Sequence, residues 1–150
     1  MAGMISETSR LTQVKALTAT GTDDTINSAS VDMGADGGWD GVFFFFSPAS
    51  VVAGAATAMH IEQSADDSSF ADLTGTGITI EDDDDAETFG VDVYQPGDRY
   101  LRMVVTRATQ ASVLGEMYAL RYRGKEGVIT QSVTDEITVE AHVSPAEGTI

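Results

Sequence analysis

The residues of this chain that could perform acid–base or metal chemistry are few and widely spaced. The two histidines, His60 and His142, lie in segments where polar and apolar residues alternate, and both fall on the polar side. A metal site would need a third ligand beside them, and a catalytic base would need a nucleophile. We therefore interpret both as ordinary surface histidines and expect no metal site.

Motifs for nucleophilic catalysis and phosphate binding are missing from the sequence. Ser, His and Asp all occur, but no GxSxG elbow does. The segment GADGGWDG at 34–41 has several glycines, yet it matches neither GxGxxG nor the lysine-containing phosphate loop. Cysteine is absent, which excludes disulfides and thiolate chemistry. The sequence predicts a protein that is not an enzyme and holds no cofactor.

Two acidic runs, Asp66–Asp67 and Asp82–Asp85, raise the question of calcium. Calcium takes six to eight oxygen ligands, and its helix-flanked loop needs acids at alternating positions around a central glycine. The acids of Asp82–Asp85 are consecutive and enclose no glycine. Solvated loops are the favoured interpretation of both runs.

The charge of the chain is unevenly distributed. It has 24 acidic and 8 basic residues, a net charge of −16. No Lys or Arg occurs from Ala16 to Asp98, whereas Glu116 is the single acid from Arg99 to Lys125. The basic residues of that second window either neutralise the protein's own carboxylates or form a patch for an acidic partner. For the second case, the docking candidates are Arg102, Arg121 and Arg123.

The same composition argues against some partners. A strongly acidic surface repels phosphates, so we expect no direct binding of nucleic acid. The longest apolar run, Val42–Phe46, is far shorter than the roughly 18–20 residues that cross a bilayer, so we expect no membrane partner. The N-terminal sequence MAGMISETSR does not have the pattern of a secretory signal.

Short segments with period-two alternation recur along most of the chain, and they predict an all-β protein. An antiparallel β-sandwich is the expected architecture, with the jelly roll as one type to consider. Pro48 is expected to end the aromatic strand, and a hairpin is expected to join the segments 100–107 and 113–123. The predicted strands cover residues 26–33, 39–46, 57–64, 78–80, 89–94, 100–107, 113–123 and 133–143.

The four consecutive phenylalanines at 43–46 cannot all face one core, because successive strand residues point to opposite sides. Trp39, Phe43 and Phe45 share one face of the strand, and either both faces are covered within the domain or one is covered by another subunit. Phe44 and Phe46 then fall on the other side. We predict that these two residues form an oligomer interface.

The domain prediction has three parts. Residues 1–25 are polar and are expected to form an extended N-terminal arm, in which Leu11, Val14 and Leu17 would dock on a partner. Residues 26–143 are expected to form the sandwich. Residues 144–150 contain Pro and Gly and are expected to form a flexible tail.

Three segments together resemble a known group of proteins. They are WDGVFFFF at 39–46, IEQSADDSSF at 61–70 and RYLRMVV at 99–105. This arrangement resembles that of small structural proteins encoded in the virion gene clusters of tailed bacteriophages. The Phe43–Phe46 run and the acids at Asp82–Asp85 depart from the pattern of that group.

The resemblance implies a particle component and no catalytic residues. The first hypothesis is a capsid decoration, or cement, protein on the virion surface. It would bind the major capsid protein and would itself form a symmetric oligomer, with a homotrimer expected. The alternatives are a head–tail connector or tail component, which would form a ring, and a secreted module that binds carbohydrate or calcium.

Overall fold

The computed structural model describes residues 5–82 and 84–125, which form ten β-strands and one short helical turn. The helical turn α1 covers Ile5–Thr8. The strands are Ser9–Lys15 (β1), Asp24–Asn27 (β2), Val31–Asp32 (β3), Gly41–Val51 (β4), Ala56–Ser64 (β5), Ala71–Asp72 (β6), Ile78–Ile80 (β7), Phe89–Tyr94 (β8), Tyr100–Ala108 (β9) and Ser112–Tyr122 (β10).

The strands form two antiparallel sheets. Sheet A has the order β1-β10-β4-β8. Sheet B has the order β2-β9-β5-β6, with β3 also paired to β9 and β7 also paired to β5. The order β1-β10-β4-β8 opposite β2-β9-β5-β7 is that of a jelly roll, in which the chain passes repeatedly between two sheets. The predicted all-β sandwich is therefore confirmed.

One hydrophobic core lies between the sheets, and strand alternation explains how it is filled. In β9, Leu101, Met103 and Val105 are fully buried, and in β5 Met59 and Ile61 are too. Sheet A supplies Val42, Phe44, Phe46, Leu114 and Met117 to the same core. The assignment of inward faces in β5 and β9 is thus confirmed.

The predicted hairpin between 100–107 and 113–123 is wrong. β9 pairs with β2, β3 and β5 in sheet B, whereas β10 pairs with β1 and β4 in sheet A. The short connection between them crosses from one sheet to the other. Both strands contribute buried apolar side chains to the same core, each from a different sheet.

Pro48 does not end β4, which continues to Val51. The pairing of β4 with β10 shifts register between Val113 and Leu114 and again between Leu114 and Met117. Irregular pairing of this kind accommodates the missing proline donor. Gly115 lies in the shifted part, where an added Cβ would be 2.3 Å from the Ser47 carbonyl oxygen. A close approach of the two backbones therefore requires glycine there.

The predicted arm over residues 1–25 is wrong where the structure describes it as sheet. Residues 9–15 form β1, which pairs with β10 at the edge of sheet A. Residues 24–27 form β2, and the single strand expected over 26–33 is divided into β2 and β3. The predicted strand over 133–143, the tail 144–150 and His142 all lie outside the described residues.

Candidate interaction surfaces

The outer side of sheet A, which faces away from the core, carries an apolar surface. Phe43 and Phe45 project there from β4, with ring centroids 5.3 Å apart, and the Tyr118 ring of β10 stacks on Phe45 at 5.5 Å. Leu11 and Leu120 lie in the cross-strand row of Phe43. All five side chains are partly exposed. We call Leu11, Phe43, Phe45, Tyr118 and Leu120 the aromatic face.

Glycine in the neighbouring strand allows the aromatic face to lie flat on the sheet. An added Cβ at Gly90 of β8 would lie 2.6 Å from the Phe43 ring. Phe43 therefore covers the β8 backbone, which a side chain at position 90 would prevent. At the rim, the Tyr122 hydroxyl donates to Asp92 at 2.7 Å. Burial, followed by this bond, raises the pKa of Tyr122 to about 12, so the phenol stays protonated near neutral pH.

The prediction that Phe44 and Phe46 form the oligomer interface is wrong. Their exposed fractions are 0% and 1%, and both lie in the core of the protomer. Alternation correctly separates Phe43 and Phe45 from Phe44 and Phe46. Grouping Trp39 with Phe43 and Phe45, however, did not identify the pair that points inward. Trp39 precedes β4, which begins at Gly41, so its burial says nothing about which strand residues point inward. Phe43 and Phe45 are the outward pair.

The three apolar residues predicted to dock from the arm have different environments. Val14 is buried in the core and cannot contact a partner, so that prediction is wrong. Leu11 belongs to the aromatic face. Leu17, in the β1–β2 loop, is 54% exposed and stays a docking candidate.

The three arginines predicted to dock do not form one patch. Arg102 of β9 donates to Glu62 at 2.6 Å, with its guanidinium 3.9 Å from the centroid of the Phe70 ring. Arg121 of β10 is 7% exposed, lies over the Trp39 ring and donates to the Asp32 carbonyl at 3.1 Å. Arg121 is buried, so its docking prediction is wrong, whereas the Arg102 side chain is ion-paired but 23% exposed and stays a docking candidate.

Arg123 follows β10 and has a 68% exposed side chain. Its guanidinium lies 3.4 Å from Asp40. The ammonium of Lys125 lies at the same distance from the other oxygen of that carboxylate. Surface pairs of this kind contribute little to stability, so Arg123 stays available as a docking candidate.

Most of the basic residues between Arg99 and Lys125 form ion pairs with carboxylates of the same chain. Arg107, almost fully buried, pairs through both Nε and Nη2 with Asp24, and its Nη1 donates to the carbonyls of Ala19 and Ser112. Arg99 makes a two-point contact with Asp32 at 2.8 Å. Hydrogen bonds from Arg107 and Arg99 hold the pKa values of Asp24 and Asp32 below their ordinary value. These arginines therefore stabilise acidic segments of the same chain.

The acidic turns use several of their carboxylates to hold the backbone. Asp66 accepts hydrogen bonds from the amides of Ser68 and Ser69 and from the Ser64 hydroxyl. These bonds lower the pKa of Asp66 strongly, and the bonds from the two amides have the largest effect. Asp84 accepts from the amide of Glu81, and Asp85 from that of Val51. Turn formation thus accounts for these acids without calcium.

One mixed cluster was missed at the sequence level. Nε2 of His60 lies 3.3 Å from Asp72 Oδ1 and 3.8 Å from Glu62 Oε1, on the outer side of sheet B. Alternation placed His60 and Glu62 side by side. Asp72 was not foreseen, because the two-residue strand β6 has no periodicity that would reveal its register.

An open groove of about 880 Å³ lies beside the β1–β2 connection. Lys15, Asp24 and Arg107 supply its charged groups, and Asp24 pairs with Arg107. Within residues 5–82 and 84–125, no helix is long and apolar enough to cross a membrane. Comparison with models of known protein families and with curated proteins gave no match.

Proposed function

We propose that this protein is a structural component of a tailed-bacteriophage virion. In this proposal it is a capsid decoration, or cement, protein that binds the outer surface of the major capsid shell as a symmetric oligomer. A homotrimer is the expected form. The support comes from the three segments that resemble phage virion proteins, the jelly-roll fold and the aromatic face. Jelly rolls build both capsid proteins and lectins, so the fold alone does not select the function.

The aromatic face is the observation that carries the proposal. A contiguous apolar patch on the surface of a soluble domain usually marks an interaction site. None of its five residues is charged, although the chain as a whole carries −16. A second copy is the occupant we propose, since it offers the same uncharged apolar surface, and contact through that surface adds least to the repulsion between two acidic chains. Stacked aromatic rings also supply large contact areas at small entropic cost.

Docking on the shell would use a different surface. Leu17 and Val52 are two large apolar residues exposed at one end of the sandwich. The loops that carry them meet the chain around β10: the amide of Thr18 bonds to the Leu114 carbonyl, and that of Val52 to the Ala111 carbonyl. A cyclic oligomer that contacts through the aromatic face, with its symmetry axis along the strands, would present this end of each copy in the same direction.

The alternatives predict different geometries. A head–tail connector or tail component would use the aromatic face in a heterologous contact that closes a ring. A carbohydrate- or calcium-binding module is less well supported, because Asp66, Asp84 and Asp85 already bond to turn amides.

The test is to purify virions whose genome encodes this chain, to identify their proteins by mass spectrometry and to image them by electron cryomicroscopy. A decoration protein should appear as oligomeric density on the shell, at a copy number comparable to that of the capsid protein. A ring at the neck would favour the connector. Absence of the chain from intact virions would overturn the proposal.

A further inference from the structure

The cluster of His60, Glu62 and Asp72 has a geometry set by strand pairing. His60 and Glu62 are two residues apart on β5 and point outward, because Met59 and Ile61 on either side of His60 point into the core. Asp72 of β6 lies directly opposite Glu62 in the register. The nitrogen of the imidazole and one oxygen of each carboxylate all lie within 4.8 Å of one another.

The distances between these three ligand atoms are compatible with all three binding the same metal ion. A tetrahedral Zn²⁺ bound at about 2.0–2.1 Å holds its ligand atoms about 3.3–3.4 Å apart. Nε2 of His60 has this spacing from Asp72 at 3.3 Å and lies 3.8 Å from Glu62, and all three ligand atoms lie within 4.8 Å of one another, so a bound ion would draw the two carboxylates inward. One imidazole and two carboxylates form a donor set that zinc and other divalent first-row metals accept. The partly open site leaves a fourth position for water.

A second layer of contacts holds the Glu62 ligand in place. Arg102 lies opposite Glu62 on β9 and donates to Oε2 at 2.6 Å, so Oε1 is the oxygen left toward His60. The Phe70 ring packs on the guanidinium of Arg102 and fixes it in turn. Hydrogen-bonded partners of this kind orient metal-binding carboxylates in known sites. Arg102 also offsets one of the two negative charges, which lowers the repulsion between the Glu62 and Asp72 carboxylates.

We propose that His60, Glu62 and Asp72 form a binding site for one divalent transition-metal ion on the outer side of sheet B, for which Zn²⁺ is the probe. The site is separate from the aromatic face, so it does not depend on the proposed virion role. It would tie the short strand β6 to the centre of sheet B, since Asp72 is the ligand that β6 contributes.

The test is calorimetric titration of the metal-free protein with zinc chloride, followed by titration with Co²⁺ to obtain an absorption spectrum. We expect one Zn²⁺ per chain, and visible bands of four-coordinate Co²⁺ that zinc displaces. His60→Gln and Asp72→Asn should each weaken zinc binding tenfold or more, because even lost second-layer contacts cost about 10–100-fold. Glu116→Gln is the control, because Glu116 lies on β10 of sheet A, away from the cluster on sheet B, and it should bind as the wild type does.

Three results would overturn the proposal. They are no zinc binding at millimolar concentration, unchanged affinity in both His60→Gln and Asp72→Asn, or loss of binding in Glu116→Gln alone. Thermal unfolding of each metal-free variant checks that it is folded. If one cluster variant fails to fold, the other decides, because either substitution removes one ligand.

Discussion

At the scale of single residues, the phenylalanine run shows what alternation determines and what it leaves open. Alternation correctly divides Phe43 and Phe45 from Phe44 and Phe46, because strand geometry fixes the period. It does not reveal which pair points inward, since the two pairs are chemically identical. Val42 has the parity of the inward pair and is fully buried. The alternation that starts at Val42 therefore indicates the inward face better than the position of Trp39 does.

The two pairs should therefore respond differently to the same substitution. Phe44→Ala should destabilise the fold by about 3–5 kcal/mol, because it leaves a cavity in the core. Phe45→Ala should cost about 1 kcal/mol and should weaken self-association. Urea unfolding measures the first effect and sedimentation velocity the second. Equal destabilisation by both, with unchanged sedimentation, would contradict the assignment of faces.

The Asp66 turn should contribute a pH-dependent part of the stability. Its pKa is lowered from 3.8 by the amide hydrogen bonds of the folded turn. The unfolded chain therefore takes up the proton more readily, and the stabilisation present at neutral pH is lost as the pH falls below about 4. Asp66→Asn cannot titrate and should lose less stability than the wild type between pH 5 and 2.5.

A neighbouring substitution controls for the change in charge. Asp67→Asn removes the same charge, and asparagine tolerates the left-handed backbone found at position 67. Melting temperatures of the three proteins across that pH range give the comparison. If the difference between wild type and Asp66→Asn does not change with pH, the turn bonds do not favour the ionised carboxylate.

At the scale of elements, strand positions were predictable but strand partners were not. The segments at β5, β7, β8, β9 and β10 were located from their alternation and turn residues. Alternation describes one strand at a time, so it could not show that β9 and β10 belong to different sheets. β1 was missed because its exposed edge position leaves a polar sequence, SRLTQVK, with Val14 as its one apolar core residue.

The role of β1 can be tested with two residues of similar size. Val14→Ala removes core contacts and should cost about 2 kcal/mol. Leu17→Ala lies in the exposed loop after β1 and should change stability by no more than about 0.5 kcal/mol. Deletion of residues 2–20 should lower the melting temperature sharply, because β10 loses a hydrogen-bonded neighbour. If the deleted protein had the melting temperature of the wild type, the result would support the original prediction of an extended arm that does not contribute to the fold.

At the scale of the whole molecule, two electrostatic effects of opposite sign compete. Ion pairs such as Arg99–Asp32 and Arg102–Glu62 stabilise the fold and are weakened by salt. Each exposed pair is worth at most about 1 kcal/mol. Repulsion among the unpaired acids opposes folding and also weakens with salt. With 24 acids against 8 bases, most carboxylates cannot have a basic partner, so repulsion should dominate.

The melting temperature of the isolated protein should therefore rise when sodium chloride is increased from 0.01 to 0.15 M, over which the screening length falls from about 30 to about 8 Å. Self-association should rise as well, because the aromatic face is uncharged and the surfaces around it repel. Potassium chloride is the control for specific ion effects, and a chelator excludes trace metal at the His60 cluster. A melting temperature that falls with either salt would mean that the internal ion pairs outweigh the repulsion. The acidic residues would then stabilise the fold through their ion pairs more than they destabilise it through their mutual repulsion.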